Sequence, residues 1–222
     1  LVISDIRSMS RACDAVGGIN LGQGICDLPT PPPVAKAAIE AITTNRVVYT
    51  APEGIAPLRG AIARKVEQRY GLSYDPASEV VVTSGATGGF AAACLALLDP
   101  GDEIILFEPY YGYHLNTILT FGIQPVLVAT RPPGWAVDPA ALRAAITPRT
   151  RAILVCTPGN PSGKVWTAEE LDLVEQVCEE HDLLAITDEI YEHMVYDGRA
   201  HVPLATRGQA KERTVMISGF SK

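Results

Sequence analysis

Five short stretches of this sequence hold residue types that could share one piece of chemistry, and each follows an apolar run. Ser84-Gly85-Ala86-Thr87-Gly88-Gly89 comes after EVVVT, and Glu108-Pro109-Tyr110-Tyr111-Gly112-Tyr113 after EIILF. Thr157-Pro158-Gly159-Asn160-Pro161-Ser162-Gly163 follows RAILVC, Asp188-Glu189-Ile190-Tyr191 follows LLAIT, and Gly219-Phe220-Ser221-Lys222 follows TVMIS. Small residues opening a helix, here Gly85, Ala86 and Thr87, leave backbone N–H groups unpaired at the positive end of the helix dipole, which suits a phosphate. Three tyrosines in four positions can stack on a flat ring. A Pro/Gly turn presents Asn160 as an amide donor. The Asp188 carboxylate and the Tyr191 phenol, three residues on, can reach one ligand from two sides. Lys222, at the end of a buried strand, is expected to be held near the site, where desolvation favours the neutral, nucleophilic amine.

Taken singly, each stretch has a plain structural reading: a tight turn, a core tyrosine, an Asn-Pro turn, an acidic helix cap, a solvated lysine. Taken together they supply a phosphate cradle, a stacking ring, a donor pair, an acid and an amine. That combination describes a site for pyridoxal 5'-phosphate.

The elements that must position these residues read as a βα rhythm. Strands are expected at 79–83, 103–107, 125–129, 151–156, 183–187 and 214–218, mostly as continuous apolar runs, the pattern of parallel strands covered on both faces. Helical patterns lie between them. Pro33 opens one, a second spans roughly 55–70, and Asp138-Pro139 reads as an N-cap followed by proline. Thr167 to Glu170 reads as a capping box ahead of a face formed by Leu171, Val174, Val177 and Cys178. Strands alternating with helices predict an α/β fold with a mainly parallel, doubly wound sheet, because ligands in such sheets bind beyond the carboxyl ends of the strands, where the five stretches fall. Residues 1–32 read as an N-terminal arm, and 33–222 as the cofactor-binding domain.

Composition narrows the function class. A net charge of −7 argues against nucleic acid or an anionic membrane as partner. Five scattered cysteines with no CxxC pair, and four histidines without metal-ligand spacing, suggest neither a disulfide framework nor a metal site. With no apolar run of membrane-spanning length and no leader pattern, the expectation is a soluble, cytoplasmic protein. GxGxxG does not follow the first strand, which disfavours a dinucleotide-binding oxidoreductase.

The ordered set LGQG, YTAPEGIAPLR, the GAT turn, EPYY, NPSG, DEIY and SGFSK resembles the class I/II aminotransferases, the fold-type I pyridoxal-phosphate enzymes, over nearly the whole chain. The resemblance implies that Lys222 is the Schiff-base lysine and Asp188 the partner of the pyridine nitrogen. It implies that Asn160 and Tyr191 bond the ring oxygen, that Tyr111 stacks on the ring, and that the Ala86 and Thr87 amides hold the phosphate. Tyr49 is similar to a tyrosine that reaches the neighbouring subunit's phosphate, implying a homodimer with shared active sites. Gly24 matches a glycine beside the substrate carboxylate, and Ile25 stands on the substrate side where the family often carries an aromatic residue. A family serine three residues before the lysine is replaced here by Gly219, with Ser218 or Ser221 expected to substitute. Past the lysine the family continues to a phosphate-binding arginine and a small domain, which this chain does not include. Its end at Lys222 is expected to mark a lysine modified by the cofactor, with truncation as the alternative. The implied activity is transfer of an amino group from an amino acid to a 2-oxo acid. A lyase or cyclase of the same fold is the alternative, and a sensor domain without catalysis a more remote one.

Overall fold

The computed structural model describes residues 5–22, 24, 28–46 and 48–222. By its internal contacts the chain divides into two compact units, Leu1–Thr50 and Ala51–Lys222. The boundary expected after residue 32 falls inside the first of them.

The first unit holds α1 (Asp5–Ala15) and α2 (Pro32–Thr43). Proline in the first turn of α2 costs nothing there, since its missing N–H would have had no intrahelical acceptor.

In the second unit, α3 (Ala56–Tyr70) and α4 (Gly85–Leu97) precede β1 (Glu103–Glu108). Then come α5 (Gly112–Thr120), β2 (Gln124–Ala129), α6 (Pro139–Ala144), β3 (Thr150–Cys156), α7 (Ala168–Glu180), β4 (Leu184–Asp188) and β5 (Thr214–Ile217). Among the described residues five strands run parallel, in the order β2-β1-β3-β4-β5. The apolar runs are continuous because both faces are covered. Successive side chains alternate between faces, so Ile104, Leu106 and Leu154 join Phe90 and Cys94 of α4 and Ile118 of α5 in one core layer. Ile105, Phe107, Ile153 and Val155 join Leu142 of α6 and Leu171, Val174, Val177 and Cys178 of α7 in the other.

Local signals are realised where they were read. The Asp138 side chain accepts from the Ala140 and Ala141 amides and starts α6. Thr167 and Glu170 form the reciprocal capping box of α7, and its four expected core residues are all buried. One expected strand is not formed. Residues 80–83 of EVVVT join no ladder, the Val82 amide donates instead to the Glu53 carbonyl at 2.9 Å, and Val81 is 64% exposed. An apolar run becomes a strand only when a neighbour takes up its backbone groups, and β5, the edge strand, does not pair with this one.

The strand order carries one consequence for function. From β1 the chain steps outward to β2, then crosses back to β3 on the other side of β1. The direction of winding reverses between β1 and β3, and a crevice opens at their carboxyl ends, the usual place for a ligand in an open α/β sheet. Among the described residues no helix is long and apolar enough to cross a membrane.

Candidate active site

A cavity of about 210 Å³ lies at the carboxyl ends of β1, β3 and β4, closed by the first turn of α4 and by the residues after β5. Gly85, Ala86, Thr87, Tyr111, Asn160, Asp188, Tyr191 and Lys222, eight of the expected site residues, all line it.

Asp188 is the last residue of β4, and its register opposite Cys156 of β3 and Ile217 of β5 places it in the sheet interior. It is 6% exposed. A carboxylate buried this far needs hydrogen-bond donors. Oδ1 accepts the Ile190 amide at 3.1 Å, and Oδ2 lies 2.9 Å from Nε2 of His114. An ionised carboxylate only accepts, so in that state Nε2 carries the proton.

His114 is also fixed by ring packing, with Phe90 at 4.7 Å and with Tyr111 edge-on at 5.3 Å. The sequence patterns give His114 no role. Its spacing held the clue: it is three residues after Tyr111 at the start of α5, and three residues is close to one helical turn. Burial, then the nearby Tyr113, Tyr191 and Asp188, push the Tyr111 phenol upward, so it presents a neutral aromatic ring. Cys156, also in the wall, is pushed up to about 12 by burial and then by the charge of Asp188. It stays a protonated thiol and supplies bulk, not nucleophilicity.

At α4 the chain enters the helix through Gly85 at φ +70°, a left-handed conformation that glycine adopts without penalty. Among the described residues no side chain caps this N-terminus. The Gly85 amide donates to the Thr83 carbonyl at 2.9 Å, while the amides of Ala86 and Thr87 keep their donor capacity, and the helix dipole adds positive potential. The Asn160 amide donates to the Tyr191 hydroxyl at 3.4 Å, a long bond that brings two polar tips into one corner.

Lys222 lies with Nζ 5.8 Å from the centroid of the Tyr191 ring. Its expected desolvation is not found. Lys222 is exposed, and residues 218–222, beyond β5, form no regular element.

Ser218 does not line the cavity; its hydroxyl donates to Glu192 at 2.7 Å, while Ser221 stands in the wall beside Lys222. Gly24 and Tyr49 belong to the first unit, where both are exposed. Ile25 lies outside the described residues. Among the described residues no cluster of three or more His, Cys, Asp or Glu could hold a metal ion.

Residues 16–222 match the family described as aminotransferase class I and II. A probable N-succinyldiaminopimelate aminotransferase of Mycobacterium tuberculosis is 43% identical over 216 residues, covering 96% of this chain and 54% of the relative. Human kynurenine–oxoglutarate transaminase 1 is 36% identical over 217 residues, 92% of this chain and 51% of the relative. Among solved structures, the N-succinyldiaminopimelate aminotransferase from Mycobacterium tuberculosis superposes with a TM-score of 0.94 at 42% identity, over 98% of this chain and 57% of that one. Aspartate aminotransferase from Thermus thermophilus with maleate gives 0.91 at 35% identity, over 99% and 58%. The chain spans about half the length of the curated relatives it matches.

Proposed function

The chain belongs to the class I and II aminotransferases, and from that premise we propose that the protein transfers an amino group from an amino acid to a 2-oxo acid, using pyridoxal 5'-phosphate held at Lys222. The observation that carries this reading is the coincidence, in one cavity, of uncapped α4 amides, the buried Asp188, the Asn160–Tyr191 pair and Lys222.

These residues fit the cofactor by chemistry. The first-turn amides around Ala86 and Thr87 suit its phosphate, and the face of Tyr111 suits its ring. Asp188 accepts hydrogen bonds at both oxygens and can hold a protonated ring nitrogen. Asn160 and Tyr191 are the pair to hold the ring oxygen. When bound, pyridoxal phosphate supplies an electron sink for bonds breaking at the substrate's Cα.

The protein's own groups do the rest. His114 holds Asp188 in one orientation through the hydrogen bond between its Nε2 and Oδ2. Lys222 would hold the cofactor covalently and, as a free amine, would take the proton that leaves the donor's Cα and deliver the one that the acceptor's Cα gains. Tyr191 lies beneath Nζ and limits its swing between those two tasks.

The relatives' names range from N-succinyldiaminopimelate to kynurenine to aspartate. The proposal therefore commits to a 2-amino acid donor and a 2-oxo acid acceptor and to no single pair. The proposed working form is a cytoplasmic homodimer with shared sites, supported by the fully exposed ring of Tyr49, the residue similar to one that reaches a neighbour's phosphate. Gly24 and Ile25 are proposed on the substrate side.

The experiment is to incubate the full-length protein with pyridoxal phosphate, a panel of amino acids and a 2-oxo acid, and to assay the products. Paired formation of a new amino acid and a new 2-oxo acid is expected. Release of ammonia or a cyclised product without a new amino acid would overturn transamination in favour of another reaction at the same site.

A further inference from the structure

Glu192 is 3% exposed and does not line the cavity, yet it sits next to Tyr191 and four residues after Asp188. Its carboxylate takes hydrogen bonds from Lys65 and Tyr70, both on α3, and from the Ser218 hydroxyl at 2.7 Å. Arg69 Nε stands 3.8 Å away and His193 Nε2 at 4.0 Å. Burial alone would raise the pKa of this acid, but the bonds from Lys65, Tyr70 and Ser218 outweigh it and bring it down to about 2. The group is a fixed anion at any working pH.

Lys65 and Tyr70 tie the anion to α3, whereas Ser218 ties it to the chain just beyond β5. The neighbouring link is a backbone one: the Glu189 amide donates to the carbonyl of Ile217 at 2.8 Å. The end of β5 is thus pinned at two successive residues to the turn that begins with Asp188. Among the described residues, Ser218 is the last before Lys222 to make a hydrogen bond, and Gly219 packs so close to Ile190 that a Cβ there would lie 2.9 Å from Cδ1.

We propose that Glu192 is a positioning residue for Lys222: by holding Ser218 it fixes the point from which the last four residues carry the amine to the cavity. Ser218 then belongs to this clamp and not to the phosphate cradle. The inference rests on the reading of Lys222 as the cofactor-bearing lysine.

The test uses the full-length holoenzyme with Ser218→Ala, Ser218→Thr and Glu192→Gln, and with Ser218→Ala placed also in a Lys222→Ala background. Pyridoxal-phosphate affinity is read by titration, and kcat and KM separately where Lys222 is intact. Ser218→Ala is expected to lower kcat roughly 10- to 100-fold with KM little changed, the scale of a misplaced reacting group. It is expected to weaken cofactor affinity only when Lys222 is present. Glu192→Gln, which gives an amide to three donors, should do the same or worse, and Ser218→Thr, which keeps the hydroxyl, should recover most of the loss. Equal weakening by Ser218→Ala with and without Lys222 would overturn the inference and return Ser218 to direct contact with the cofactor. Wild-type behaviour of Ser218→Ala would overturn it alone. A wild-type protein that takes up no pyridoxal phosphate would overturn the cofactor reading and this inference with it.

Discussion

Replacing His114 by phenylalanine isolates one bond in the proposed site. The phenyl ring keeps the packing against Phe90 and Tyr111 and removes both ring nitrogens, of which Nε2 meets Asp188 at 2.9 Å. Both side chains are nearly buried, at 5% and 9% exposure, so water cannot readily replace the lost donor. A hydrogen bond to a charged group is worth about 1.5–3 kcal/mol. At about 1.36 kcal/mol per tenfold in rate, H114F should lower kcat by roughly 10- to 150-fold. The loss should fall on kcat with KM little changed, because Asp188 is proposed to act on the bound cofactor's charge and not on substrate capture. H114Q, whose amide can restore a donor, should recover part of it. The assay is steady-state kinetics of the full-length holoenzyme, with cofactor content measured so that lost pyridoxal phosphate is not mistaken for lost rate. A variant H114F within twofold of wild type would refute the role given to the His114–Asp188 bond.

Two further predictions concern the scaffold. Gly54 has φ +100°, and a Cβ there would lie 2.6 Å from Val82 Cγ2 and 2.7 Å from Val82 Cβ; Gly54→Ala should therefore cost about 2–4 kcal/mol from backbone strain and overpacking, measured by denaturant unfolding, and a change below about 1 kcal/mol would contradict the close approach. Glu192 has its pKa depressed from 4.5 to about 2 by its hydrogen bonds, so its stabilisation is full above about pH 4.5 and is lost as pH falls toward 2. The gap in Tm between wild type and Glu192→Gln should be widest above pH 4.5 and should narrow on acidification; a gap that stays constant would show that the carboxylate is not held as an anion by these partners.

What the sequence disclosed follows a physical division. The Asp138 cap, the Thr167–Glu170 box and the buried face of α7 are encoded by residues a few positions apart, and each was legible. So were four of the five stretches, because a parallel sheet gathers the carboxyl ends of its strands whatever the details of packing; the fifth, at the start of α4, follows no strand. EVVVT was misread because an apolar run specifies a buried or paired segment without naming its partner, and here the backbone bond goes to Glu53. The His114–Asp188 bond spans 74 residues, and Glu192 gathers donors from α3 and from beyond β5. No local pattern encodes such meetings; they exist only once the helices have docked on the sheet. Ser218 shows the same limit, since proximity to Lys222 in sequence suggested a cofactor contact while its hydroxyl faces Glu192.

The central claim is that Lys222 carries the cofactor, and one measurement reaches it directly. The full-length protein loaded with pyridoxal phosphate is reduced with borohydride, digested, and its peptides weighed by mass spectrometry. The account predicts the added mass of the reduced cofactor on the peptide containing Lys222, and its disappearance in Lys222→Ala. Stable labelling of another lysine, such as Lys164, or no labelled peptide at all, would contradict it.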